Sequence, residues 1–395
     1  MRQQPTEIAV QAHAPTKALP AQTLSAKPLA ENEVQESRSS PIPLADIRDR
    51  VPLHLEAVSR SFAFCIARLE PELREPIGLA YLLCRMLDTI EDTAWDSKLE
   101  QDAAYELFLS ALHDPNRPFL SPAANWPWDK FREGERTLFR DFEALRELWW
   151  VQPAEVRLAI DDCVRSMQKG MRGFRDSLAP TSATSPTLEL GSLGDVNRYC
   201  FFVAGIVGEM LTRVFRSEQE DFSPSAEDVW RFGLFLQKVN ILKDQPTDEI
   251  EGRFLVPTRP GVLRSTLQDA ESAWRYIQCI PSAWPGYQLF CAWSYFLGLE
   301  TLVRLATQRH GEAGPVASRW ETLEMIAEIE NELAKPEAWR ARREILMSRL
   351  RAAVSVVQTE SGDEAWKSAR VPWSKLAHAY QGQLSAHDLQ ALIEA

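Results

Sequence analysis

From about residue 46 onward, apolar residues recur along the chain at intervals of three and four. "FRDFEALRELWW" (139–150) and "AEVRLAIDDCVRSMQKGM" (154–171) are typical stretches. That spacing puts the apolar side chains on one stripe of an α-helix. Alternation at period two, with Asn-Gly or Asp-Gly turns, is essentially absent, so strands are not expected. Breaks fall at "DPNRPFLSPAANWPWD" (114–129), "LAPTSATSPT" (178–187), "VPTRPG" (256–261) and "IPSAWPG" (280–286), where Pro, Gly and small polar residues cluster. No repeat of fixed period is evident. The pattern predicts one all-α domain over residues 46–360, built from about ten to twelve helices.

Residues 1–45 read differently. They are rich in Pro, Ala, Gln, Ser and Glu and cannot bury enough apolar surface to offset the entropy of ordering, so a disordered leader is expected. They lack the hydrophobic segment of a signal peptide. Residues 361–395 are expected to form a polar, helical C-terminal tail. The longest charge-free run, Tyr276 to Leu299, contains Pro281, Pro285 and Gly286. Only its second half is expected to continue as helix, too short to span a bilayer. It reads as core.

Charge narrows the partners. Against 44 basic residues stand 56 acidic ones, a net charge of −12. This argues against nucleic acid as a partner, because phosphate backbones demand an excess of Lys and Arg. A small phosphorylated substrate needs only a local basic cluster. The six cysteines are scattered without CxxC or zinc spacing, and most sit among apolar neighbours, as expected of reduced core thiols in a cytoplasmic protein.

The candidate chemistry lies in two acidic stripes. In "YLLCRMLDTIED" (81–92) an apolar helix suddenly carries Asp88, Glu91 and Asp92 on one face. Like charges at that spacing repel one another, and a divalent cation would reverse the sign. Carboxylate oxygens suit Mg²⁺, which takes a few acids and completes its shell with water and phosphate oxygens. A solvated acidic helix end explains this one motif equally well. A second stripe, "NILKDQPTDEIEGR" (240–253), sets Asn240, Asp244 and Asp248 four apart, with Lys238, Lys243 and Arg253 nearby to hold phosphate. Two such stripes facing each other form a device for ionising a diphosphate beside an apolar pocket. Pro246 interrupts the second stripe, and the helix is expected to kink or end near Gln245.

At this point the sequence resembles the squalene/phytoene synthase family, in its squalene synthase branch. The resemblance rests on "SRSF" (59–62), "YLLCRMLDTIED" (81–92), "RYCFFVAGIVG" (198–208), "GLFLQKVNILKDQPTDEIEGR" (233–253) and "LFCAWSY" (289–295). It implies a single-domain, class I isoprenoid synthase helical bundle around a central apolar cavity. It also implies a Mg²⁺-dependent condensation of two farnesyl diphosphates through presqualene diphosphate, with NADPH reducing that intermediate to squalene. Carried over by motif, Asp88, Glu91, Asp92, Asn240, Asp244 and Asp248 are metal ligands. Ser59, Arg60, Phe62, Arg85, Lys243, Arg253 and Phe290 form the substrate shell with Asn240. Tyr81 and Tyr199 match tyrosines that handle the proton lost in cyclopropane formation. Each has an ordinary alternative: a buried tyrosine making one hydrogen bond, an arginine in a structural ion pair, or an aromatic ring filling core. Gly205 and Gly208 most simply permit close helix approach.

Two departures bear on the product. "FCA" continues as Trp293, Ser294 and Tyr295 where the family usually has Ile-Pro-Gln, and Gln245-Pro246 replaces an aromatic-aliphatic pair. The rivals to squalene are presqualene diphosphate, dehydrosqualene or phytoene, and a cyclised terpene, all made without NADPH. A prenyl-lipid binding protein without catalysis is the reading from another class. Greasy substrate and product lead us to expect loose association with the membrane surface without an anchor.

Overall fold

Serine and proline mark where many of the helices begin. The computed structural model describes residues 43–178, 188–307 and 319–361, so the expected leader and C-terminal tail lie almost wholly outside the described residues. Helix α1 (Leu44–Val58) is followed by α2 (Arg60–Ala67), whose N-cap Ser59 accepts a hydrogen bond from the Phe62 amide at 3.4 Å. Helix α3 (Pro71–Asp92) has proline in its first turn, where no donor is lost. Then come α4 (Lys98–His113), capped by Ser97, two short 3-10 turns (Pro122–Asn125, Trp128–Lys130), α5 (Glu133–Arg140), α6 (Phe142–Trp150) and α7 (Ala154–Leu178). The second half comprises α8 (Leu193–Cys200), a π-helical turn (Phe201–Gly205), α9 (Ile206–Arg216), α10 (Ala226–Ile250), α11 (Arg259–Cys279), α12 (Pro285–Thr307), α13 (Arg319–Asn331) and α14 (Pro336–Ser361). The architecture is all-α. The described residues hold fourteen α-helices rather than ten to twelve, because several apolar stripes are split by single-residue caps such as Ser59 and Asp141.

Helix α10 is central, packing on α11, the π turn, α9 and α12, while α3 packs on α1, α7 and α9. Two glycines let backbones meet at this centre. A Cβ on Gly233 of α10 would stand 2.2 Å from the Ala204 carbonyl oxygen, and one on Gly208 of α9 would stand 2.5 Å from that of Val229. Both are steric necessities. Two residue pairs form a short parallel bridge, β1 (Leu188–Glu189) with β2 (Arg253–Phe254), which the sequence pattern does not suggest. Gly252, at φ 81°, reverses the chain immediately before Arg253.

Two expectations are corrected. Helix α10 does not end near Gln245; it runs through Pro246 to Ile250. Helix α12 takes up the second half of the charge-free run, Pro285 to Leu299, as expected, but it is not short: it continues through Glu300 and Arg304 to Thr307, and at 23 residues it could by length and composition cross a membrane. Pro285 starts this helix instead of breaking it. It is core all the same: Tyr287, Trp293, Tyr295 and Phe296 have no exposed surface. Trp293 donates to the Ile326 carbonyl at 3.1 Å and Tyr295 accepts from Arg343 at 3.2 Å. The departure at 293–295 therefore docks the last two helices onto α12.

Candidate active site at two acidic helix ends

The C-terminal half of α3 is buried on most sides. Leu82, Leu83, Cys84, Met86, Leu87, Thr89 and Ile90 are all buried, yet Tyr81, Arg85, Asp88 and Glu91 keep partial access to solvent. Their spacing of four, three and three is one helical face. Asp88 and Glu91 are half-buried, their carboxylates largely withdrawn from water among protein atoms. Burial, reinforced by Asp92, pushes the Asp88 carboxyl well above its ordinary pKa. Burial also raises Glu91, to about 7, although the nearby Arg253 guanidinium and Tyr199 hydroxyl oppose the shift.

Upstream on the same face, the Tyr81 phenol lies near Ser59, and the Phe62 and Tyr81 rings lie 5.2 Å apart. Burial raises the Tyr81 pKa. The Arg60 side chain lies outside the described residues. Arg85 donates to Glu135 Oε1 at 2.6 Å, and the other oxygen of Glu135 caps α5 by accepting from the Arg132 amide at 2.9 Å. Sequence reasoning misses Glu135 as a site residue. Its capping position is legible in "FREGERTLF", but its pairing with Arg85 is a tertiary contact without a local signal.

Arg253 joins the two stripes. Its guanidinium forms an ion pair with Asp92 and donates to the Tyr199 hydroxyl at 3.2 Å. Glu91 and Tyr199 lie within one another's electrostatic reach, so Arg253, Tyr199 and Glu91 form one cluster. Tyr199 is fully buried against Phe174, and burial holds its pKa well above the ordinary phenol range. Asp248, from α10, is raised to about 6 by burial, with Arg253 opposing and both Asp244 and Asp92 adding to the rise. The two acidic stripes thus lie within one another's fields. The Nε of both Arg85 and Arg253 is buried without a partner, leaving spare donors of the type an anion accepts.

The remaining predicted residues divide. Lys243 lies 3.3 Å from Asp244 and 3.4 Å from Asn240, all three on the accessible end of α10. Phe290 is buried, its ring parallel to that of Tyr287 at 6.1 Å, and Phe201 and Phe202 are likewise core. Lys238 is a correction: it holds no phosphate, being fully buried with its ammonium 2.5 Å from Asp269 and 2.7 Å from Ser265. Its place in α10 turns it toward α11, away from the acidic end.

Among the described residues, no three His, Cys, Asp or Glu side chains converge as a metal-binding group. The donors come as Asp88, Glu91 and Asp92 on one helix and Asn240, Asp244 and Asp248 on another. All are hard oxygen donors. The set fits a cation that takes a few protein oxygens and draws the rest of its shell from water or a phosphorylated ligand.

The family model for squalene/phytoene synthase matches residues 55–260. The squalene synthase of Mus musculus is 31% identical over 207 residues, covering 52% of this chain and 45% of that protein. That of Ganoderma lucidum is 34% identical over 208 residues, covering 51% and 42%. The chain thus matches about half the length of these curated relatives. A solved structure of TcSQS with a bound ligand superposes with a TM-score of 0.62 at 20% identity, covering 88% of this chain and 98% of that one, and shares its fold. Both acidic stripes and the arginine between them fall inside the matched region, and this chain belongs to the squalene/phytoene synthase family.

Proposed function

We propose that this chain is a prenyltransferase that condenses two farnesyl diphosphates head to head through presqualene diphosphate, with squalene as product and NADPH as reductant. The observation that carries the reading is Arg253, which pairs with Asp92 of the first stripe within the field of Asp248 of the second. Asp88, Glu91, Asp92, Asn240, Asp244 and Asp248 would hold Mg²⁺, and the cation when bound would neutralise charge on the leaving diphosphate. Arg85, Lys243 and Arg253 bind diphosphate oxygens; the arginines offer planar forks and the lysine a point charge. Arg60 joins them on its motif alone.

The tyrosines act as donors in this reading. A phenol whose pKa burial has raised is a poor acceptor, so Tyr199 orients Arg253, and the departing diphosphate takes the proton. The prenyl chains lie against the partly buried apolar residues Phe62, Val203, Val207, Leu236 and Leu297. Exposed Ile250 and Phe254 flank Arg253, which supports loose contact with the membrane lipid that dissolves such a substrate.

The test is to incubate the full chain with farnesyl diphosphate and Mg²⁺, with and without NADPH, and to follow extracted products by mass spectrometry. Squalene that appears only with NADPH supports the proposal. A dehydro or cyclic product formed without reductant moves the assignment to a rival within the family. Absence of diphosphate release under every condition leaves only a prenyl-lipid binder.

A further inference from the structure

Pro246 sits two residues from each of Asp244 and Asp248, yet the helix carrying them does not stop there. Proline has no N–H to give the carbonyl four residues back, which is that of Leu242, and its ring crowds that same oxygen. A helix end is the usual outcome. Here another donor stands at the vacant acceptor. Arg259, at the start of α11, donates from Nη1 to the Leu242 carbonyl at 3.3 Å and to Gln245 Oε1 at 2.9 Å. Its Nη2 reaches the Leu305 carbonyl of α12 at 3.3 Å. The Gln245 amide nitrogen then donates to Glu249 Oε1 at 2.8 Å, one turn further on. These contacts of Arg259 all go to neutral oxygens, and burial lowers its pKa. Withdrawing a guanidinium from water toward neutral carbonyls costs free energy, so the placement asks for a structural return.

We propose that Arg259 is a positioning residue that substitutes for the amide missing at Pro246 and keeps the segment from Asp244 to Asp248 helical. Gln245 relays the same guanidinium to Glu249. The two residues that depart from the family pattern, Gln245 and Pro246, and the arginine that accommodates them thus form one device. Its consequence for function rests on Asp244 and Asp248 belonging to the reaction centre; its consequence for the helix does not.

The test is a cycle of Arg259→Met and Pro246→Ala, singly and together, in the full chain. Alanine restores the missing N–H and relieves the crowding. Amide hydrogen exchange at Thr247–Ile250, measured without substrate, reads the helix directly. A hydrogen bond from a charged donor is worth roughly tenfold or more in an equilibrium constant. Arg259→Met should therefore speed exchange there by about tenfold with Pro246 present, and by less than about twofold in the Pro246→Ala background. The Mg²⁺ concentration for half-maximal diphosphate release should rise by a similar factor and be rescued in the same way.

An equal effect of Arg259→Met in both backgrounds, or unchanged exchange, overturns the inference. Should Arg259→Met fail to fold while the double variant folds, the proposal stands, because only the proline background needs the arginine. If both fail to fold, Arg259 serves the α12 contact instead and the proposal is wrong. Exchange that follows the cycle in a chain releasing no diphosphate rejects the catalytic reading and keeps the positioning role.

Discussion

The buried cluster behind the second acidic stripe gives the sharpest stability prediction. Lys238 and Asp269 have no exposed surface, and their charged atoms lie 2.5 Å apart. Arg231 reaches the other oxygen of Asp269 at 2.7 Å, so one carboxylate serves two cations. The two substitutions are therefore unequal. Asp269→Leu strands a buried ammonium and should cost about 3–5 kcal/mol, the range for breaking a buried pair from one side. Lys238→Met leaves Asp269 with Arg231 and should cost less, about 1–3 kcal/mol. Combining them removes the stranded ammonium, so the double variant should recover about 2 kcal/mol relative to the sum of the singles. Urea unfolding measures all three. A loss of about 3 kcal/mol at a slope of about 3 kcal/mol per molar moves the midpoint by roughly 1 M. A loss below about 1 kcal/mol for Asp269→Leu, or a larger loss for Lys238→Met, refutes the reasoning.

Two further outcomes follow from packing and charge. Gly233→Ala gains up to about 1 kcal/mol in helix propensity but drives a Cβ into the Ala204 backbone oxygen, so we expect a net loss of about 2 kcal/mol in urea unfolding; a more stable variant contradicts the contact. Asp141 is buried, which raises its pKa, but hydrogen bonds from His54 at 2.9 Å and Arg50 at 3.0 Å outweigh this and leave it lowered. A depressed carboxyl contributes stability above its unfolded pKa and loses it as pH falls through the folded value, so the loss falls at and below about pH 4. Asp141→Asn should cost about 1–2 kcal/mol at about pH 7 and flatten that acid limb. An unchanged acid limb contradicts the assignment.

Much of this molecule is legible in its sequence, and the exceptions have physical causes. Helical periodicity and serine caps locate most elements because both are local. The acidic stripes are legible for the same reason: four-residue spacing puts Asp88 with Asp92 on one face. Lys238 escapes a sequence reading because nearness to Asp244 along the chain says nothing of direction; half a turn of helix separates a buried ion pair from an accessible ligand. Pro246 reads as a stop because its remedy, Arg259, lies across a loop that sequence marks only as a break. Glu135 and Asp269 are invisible for the same reason, since each meets its partner 31 or more residues away. In sequence Trp293 and Tyr295 read as a departure that bears on the product, whereas their polar edges anchor α13 and α14.

The central claim is that both acidic helix ends serve one diphosphate. It is tested most directly by measuring diphosphate release from farnesyl diphosphate with Mg²⁺ in Asp88→Asn and Asp244→Asn, each checked for an unchanged urea midpoint. Each substitution alone is predicted to lower release by about a hundredfold or more, as expected when one carboxylate is lost from a charge-neutralising set. Release that persists near the parent rate in either variant would contradict the claim.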